Sequence, residues 1–317
     1  MTHVGASMTD DRAQPLQRLF AAVAGRPVLF VRPGGNWGDH LIWLGAEHLA
    51  TSMGVRWRSL DHTHFNAGSA RRNEVIFVHG SGGFTRTSSG RAAQCLASAL
   101  RTPGATVIQG PCTVDTVEDV AFLRPAMDQA VAAALYFMVR ERRSEALMRP
   151  LLAGRAEVVL NQDTAFYLPR ETLLRWADRA PGRLTLWAVR EDPEAVRTSG
   201  RPRADGVVLD PARYARSFAH WLRIHVAARR IITNRTHSAI CGALLGVPVT
   251  MFSGGYHKNR SIWDFSLQDR GVRWLDDVRD VPARPSVDPW LRWAPPRVRE
   301  SWKAGRLADR LRGVPYA

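Results

Sequence analysis

Lysine is nearly absent from this chain: almost all of its 44 Lys and Arg side chains are arginine, set against 29 acids for a formal net charge of +15. No long block of consecutive basic residues occurs and aromatics are not interleaved with arginines, which sets nucleic acid aside as a partner. Cysteine is scarce too. Cys95, Cys112 and Cys241 have neither paired spacing nor His or Cys neighbours at zinc-ligand intervals, so a disulfide framework and a zinc module are excluded and the thiols read as reduced core residues. No apolar run can span a bilayer; the best, from Ala130, ends at Val139 before Arg140. The residues up to Gln14 are polar and lack the basic-then-apolar pattern of a signal peptide. These absences predict a cytoplasmic protein, with a basic face able to rest on the anionic inner face of a membrane. Neither G-x-G-x-x-G nor G-K-[ST] is present, so no dinucleotide fingerprint or P-loop is expected, and no internal repeat is evident.

What is present is an arginine excess, which favours anionic partners such as phosphorylated metabolites, acidic polysaccharide or lipid head groups. At 317 residues the chain is long enough for two domains. Short apolar runs alternate with helical periodicity along most of it. Strands are predicted at 27–31, 55–58, 74–79, 105–109, 134–139 and 158–160, with a turn at Gly110-Pro111 and a helix over 117–129. The pattern loosens between Leu168 and Gly182, where the interdomain connection is placed. A second alternation follows, with strands at 184–189, 206–209, 229–233 and 247–252 and a helix over 214–228. The expected fold class is α/β with parallel, doubly wound sheets.

Several of these strands run into loops rich in glycine or charge. Asn36, Gly38 and Asp39 follow the first strand; Gly82 and Gly83 follow a later one; Arg140 and Arg190 each follow another. Glycines at a strand-to-helix turn let backbone approach a ligand closely, or serve the turn alone. His62 and His64 are alternate residues of one loop, but no third metal ligand is placed near them, so no metal is expected. The most suggestive stretch runs from Ile231 through Arg235 and His237 to Leu245, with Asn234 or Thr236 as candidate cap and Gly246 as the stop. In such a β-α-β unit the helix amino end favours an anion, and an arginine with a titratable imidazole there points to phosphate chemistry. A surface charge beside a capping imidazole is the plainer alternative.

The order of these signals resembles the polysaccharide pyruvyl transferase family. It consists of Asn36-Trp37-Gly38-Asp39, Gly80-Ser81-Gly82-Gly83, Arg140-Glu141 with Ser144, Asp163, Arg190, Arg235-Thr236-His237 and Gly255-Tyr256-His257-Lys258. The chain departs from the family pattern at Thr236, where leucine is common, at Asn234, where an acid is frequent, and at Asn161-Gln162, where a proline turn is usual. The resemblance implies two Rossmann-like domains facing a cleft, as in B-type glycosyltransferases. The expected division is an N-terminal domain over 1–170 on the acceptor side, a C-terminal domain over 171–285 on the donor side, and a helical extension over 286–317.

The implied reaction moves the enolpyruvyl unit of phosphoenolpyruvate onto two hydroxyls of a sugar in an extracellular or capsular polysaccharide, or its lipid-linked precursor. It forms a pyruvate ketal and needs no cofactor. Under that reading His237 is the candidate acid and Asp39 the candidate base. Arg235, Arg190, Arg140 and Lys258 would hold the donor's phosphate and carboxylate, which the arginine fork binds bidentately. Asn36, Gly38, Gly82, Gly83 and Tyr256 complete the expected substrate site. Asp39 could instead only cap a helix, Arg190 and Lys258 could be interdomain ion-pair partners, and Glu141 and Asp163 are expected to orient arginines or backbone. Two other functions stay open: a nucleotide-sugar glycosyltransferase of the same architecture, and a catalytically silent acidic-glycan-binding protein.

Overall fold

The computed structural model describes residues 11–85, 89–175, 182, 184–192, 195 and 206–276. The helix expected in the C-terminal extension lies outside these residues. Two sheets are present, each wholly parallel. The first contains β1 (Val28–Arg32), β2 (Trp57–Asp61), β3 (Val75–Val78), β4 (Thr106–Cys112), β5 (Ala134–Val139) and β6 (Glu157–Leu160), in the order β2-β1-β3-β4-β5-β6. The second contains β7 (Leu184–Ala188), β8 (Gly206–Leu209), β9 (Ala228–Thr233), β10 (Val249–Phe252) and β11 (Arg273–Leu275), in the order β11-β10-β9-β7-β8. Parallel neighbours need crossovers, which bury both faces of a central strand. The runs Val28–Val31 and Val75–Val78 are accordingly apolar without alternation and fully buried.

The crossovers include α2 (Asp39–Ser52), α3 (Ser89–Leu100), α4 (Leu123–Asp128) and α5 (Arg142–Leu151), and in the second half α7 (Pro211–Tyr214), α8 (Phe218–Val226) and α9 (Thr236–Leu245). Before β1 stands α1 (Gln14–Ala22), between the halves α6 (Arg170–Leu174), and after β10 comes α10 (Lys258–Ile262). One apolar cluster joins the halves: Leu41 of α2 with Ala165 and Leu168 packs among Leu186, Ile231, Ala239 and Ile240. Trp37 spans the same junction, its Nε1 donating to the Ala215 carbonyl at 2.9 Å. The three thiols are buried and unpaired, as expected.

Four expectations are corrected. Strand β4 continues through Gly110-Pro111 to Cys112 instead of turning, and the register slips between Gln109 and Cys112, which is how a residue without an N–H is accommodated. The helix expected over 117–129 is a 3-10 turn at Glu118–Val120 followed by α4, with Pro125 in the first turn of α4. The helix expected over 214–228 begins at Phe218, where Ser217 caps it by accepting from the His220 N–H at 3.1 Å; Tyr214 belongs to α7. The strand expected at 55–58 lies at Trp57–Asp61.

Candidate active site

The key unit forms as the pattern of residues 231–245 demanded, and Gly246 ends α9 in the left-handed region at φ 71°. Its cap is different from the expected one. Arg235 occupies the cap position without a side-chain bond to the helix. Thr233 Oγ1 accepts from the Arg235 N–H at 2.8 Å, Asn234 Oδ1 accepts from the Arg190 N–H at 2.8 Å, and Thr236 Oγ1 donates to Asn259 Oδ1 at 2.9 Å. The polar residues that could have capped α9 instead tie β7, β9 and α10 together.

A cavity of about 570 Å³ opens where loops after the strands of both sheets converge. It is lined by Asn36, Gly38, Asp39, Gly82, Gly83, Arg140, Arg190, Arg235, His237 and Lys258, ten of the residues expected from the sequence. Tyr256 is not among the lining residues. It stands behind Lys258, whose Nζ lies 4.8 Å from its ring centroid. His257 faces the first half, with Nε2 3.2 Å from the Val114 carbonyl and 3.5 Å from Asp115 Oδ1. Among the described residues no group of three His, Cys, Asp or Glu is placed to hold a metal ion.

His237 sits between two carboxylates of the first half. Its Nδ1 is 3.5 Å from Asp39 Oδ1 and its Nε2 3.7 Å from Asp163 Oδ2, so a protonated ring would meet an acceptor at each nitrogen. Asp39 is the first residue of α2, and its Oδ2 accepts from the Asn36 N–H at 2.7 Å. That bond fixes its other oxygen toward the imidazole. Gly38 is required here by space: an added Cβ would lie 2.8 Å from His237 Cβ.

Asp163 is buried. Burial alone would raise its pKa, but the neighbouring His237 and Arg140 hold its carboxyl well below the ordinary carboxylate range. Its Oδ2 accepts from Arg140 Nη1 at 2.6 Å and its Oδ1 from the Ala165 N–H at 2.9 Å. Arg140 is buried as well; desolvation opposes its charge, but Asp163 outweighs this and raises its pKa. Glu141 accepts from the Ser144 N–H at the start of α5. Asp163 and Glu141 thus orient an arginine and a backbone turn, as expected of them.

The other cations are held unequally. Arg235 Nη2 is bonded to Asp210 Oδ2 at 2.5 Å and paired with Asp192 Oδ2 at 2.8 Å. Arg190 forks onto Asp192, Nε to Oδ1 and Nη2 to Oδ2, both at 2.9 Å. This ion pair lies within the second half. Lys258 reaches across, its Nζ 3.3 Å from where a Cβ on Gly82 would stand.

The sequence reading missed Asp192, Asp210 and Arg91, of which Asp192 and Arg91 line the cavity. Asp210 carried a readable signal, since Asp-Pro after a strand marks a helix start. Nothing in the local sequence distinguished Asp192 or Arg91.

The architecture is that of an α/β protein whose two parallel sheets lend their strand ends to one cation-lined cavity around a carboxylate-flanked histidine. The family model described as "Polysaccharide pyruvyl transferase" matches residues 36–256, most of the chain and most of the cavity wall, and the chain belongs to that family. A functionally uncharacterized protein from Klebsiella pneumoniae subsp. pneumoniae shares the fold, with a TM-score of 0.63 at 16% identity over 85% of this chain and 100% of that one. Comparison with curated proteins gives no match. No helix among the described residues is long and apolar enough to cross a membrane.

Proposed function

We propose that this protein transfers the enolpyruvyl unit of phosphoenolpyruvate to two hydroxyls of a sugar in an extracellular or capsular polysaccharide, or its lipid-linked precursor. The observation that carries the reading is His237 set between Asp39 and Asp163 in a cavity that also gathers Arg140, Arg190, Arg235 and Lys258. A donor bearing both phosphate and carboxylate needs several fixed cations, and its enol phosphate needs a proton at the methylene carbon.

In the proposed reaction His237 protonates the methylene carbon, so that C2 becomes electrophilic. One sugar hydroxyl adds to C2 as Asp39 takes its proton. The C2–O bond to phosphate breaks, and the second hydroxyl closes the ketal. Of the two hydroxyl protons lost, one replaces that given to carbon and the other leaves with phosphate. Asp163 keeps the imidazole oriented. The donor carries its own activated group, so the scheme requires no redox cofactor or nucleotide. A volume of about 570 Å³ is within the ordinary range for ligand sites, ~300–1,000 Å³.

In this reading the halves meet as two domains in the B-type glycosyltransferase manner, dividing near residue 170. The acceptor enters from the first half and the donor anion sits on the second. The net charge of +15 supports contact with an anionic membrane surface on the cytoplasmic side. The test is phosphate release from phosphoenolpyruvate with a panel of glycan and lipid-linked acceptors, before and after exhaustive chelation. Turnover that survives chelation is expected. Hydrolysis of a nucleotide-sugar without response to phosphoenolpyruvate would install the glycosyltransferase reading, and tight binding of acidic glycan without turnover the silent binder.

A further inference from the structure

Among the described residues Asp163, Asp210 and Asp192 engage the cavity's arginines, and they differ in how firmly they are held. Asp163 is buried against Arg140. Asp210 has a side chain with 0% exposure and accepts from the Glu191 and Ala212 N–H groups at 3.0 and 3.1 Å as well as from Arg235. Asp192 is another matter: its side chain is 28% exposed and lines the cavity. Its carboxylate forks Arg190 through two bonds of 2.9 Å, and the same Oδ2 bridges to Arg235 at 2.8 Å. Bidentate on one guanidinium and shared with a second is the geometry in which an arginine pair receives a ligand's carboxylate or phosphate.

We propose that Asp192 is a built-in competitor for the anionic end of the ligand. A carboxylate or phosphate that engages Arg190 and Arg235 together must displace it. Displacement is inexpensive on both sides. A carboxylate 28% exposed is readily rehydrated, Asp210 retains the Arg235 guanidinium, and the incoming anion takes over the two bonds that the Arg190 guanidinium gives to Asp192, while the Arg190 backbone is fixed by its N–H to Asn234 Oδ1 at 2.8 Å. The competitor weakens binding of the donor and of released phosphate alike, and so sets the working affinity of the cavity. The identity of the ligand rests on the proposed function, but the competition does not, because any small anion drawn to the pair meets the same carboxylate.

The experiment is calorimetric titration of the full chain with inorganic phosphate and, separately, with phosphoenolpyruvate, comparing wild type with Asp192→Asn and Asp192→Ser. Both variants should bind both anions about three- to tenfold more tightly. KM for phosphoenolpyruvate should fall without a rise in kcat, and thermal melts should show that the fold is kept. Equal or weaker phosphate binding by both variants overturns the proposal, because Asp192 would then position the arginines instead of competing for them. Tighter phosphate binding without any binding or turnover of phosphoenolpyruvate upholds the competition and removes the donor assignment. Turnover of phosphoenolpyruvate with no gain in affinity for either anion does the reverse.

Discussion

Gly38→Ala tests the placement of His237. The backbone at Gly38 is helical, φ −65° and ψ −31°, so alanine is allowed there, and relief of chain entropy in the unfolded state would by itself stabilise by about 0.4–1 kcal/mol. The obstacle is steric. The new methyl would stand 2.8 Å from His237 Cβ, 3.1 Å from Asn36 Oδ1 and 3.2 Å from His237 Nδ1, so the backbone of α9 at His237 or the first turn of α2 must move by about 0.7 Å to restore a carbon contact of ~3.5 Å. Asp39 is the next residue in that turn, so the shift alters its 3.5 Å separation from His237, which the proposed acid and base share. Misplacement near 1 Å costs on the order of 10²-fold in rate, so kcat for phosphate release should fall about 10²-fold, while the overpacking should cost stability by about 1–3 kcal/mol, partly offset by the entropy gain. In a His237→Gln background the same alanine should add little further loss, since both changes act through one side chain. Wild-type kcat in Gly38→Ala, with the methyl in place and the fold intact, would refute the reasoning and move the acid away from His237.

Three further outcomes are expected. His237→Gln should keep donor affinity near wild type while turnover falls by about two orders of magnitude or more, whereas Arg235→Lys, which loses the planar guanidinium whose Nη2 meets both Asp192 and Asp210, should weaken donor binding as well; normal turnover in the first variant would reassign the acid. Asp163→Asn leaves the buried Arg140 guanidinium without its counter-charge and should cost about 3–5 kcal/mol in urea unfolding, a loss that a merely surface ion pair would not show. His225 has its imidazole pKa lowered from 6.5 to about 4 by burial, and His40 likewise to about 4 by burial and then by Arg32. A neutral buried imidazole binds fewer protons than the unfolded chain between these values. Its contribution is complete above about pH 6.5 and is lost as pH falls toward about 4, worth about 3 kcal/mol for His225. Urea titrations at pH 7.5 and 5 should therefore show a smaller acid loss for His225→Gln than for wild type; an equal loss would contradict this account.

Much of the fold was legible because parallel strands buried on both faces must be short apolar runs, and helices between them must show a longer period. Val28–Val31, Val75–Val78 and Ile231–Thr233 carry that signal without needing their neighbours. Where a local rule competed with pairing, pairing won: Gly110-Pro111 is a turn by composition, yet the neighbouring strands carry β4 past it. In the same way, Asn234 and Thr236 have the chemistry of caps but are taken by Arg190 and Asn259.

Which segments face the cavity was readable from the strand pattern, because in a parallel α/β sheet all strand ends point one way and the loops after them gather on one side. Asn36 to Asp39, Gly82, Arg140, Arg190, Arg235 and His237 lie in such loops, and the family resemblance singled most of them out. What each of them touches depends on the packing of the two halves. Strand order placed β7 between β9 and β8, which brings Asp192 and Asp210 to Arg235 from separate loops. The apolar junction of Leu41 and Ala165 with α9 set His237 between Asp39 and Asp163. Ion pairing depends on separations of a few ångströms between residues far apart in the chain, and those separations are fixed by which hydrophobic faces pack together, a property no local pattern of charged residues contains.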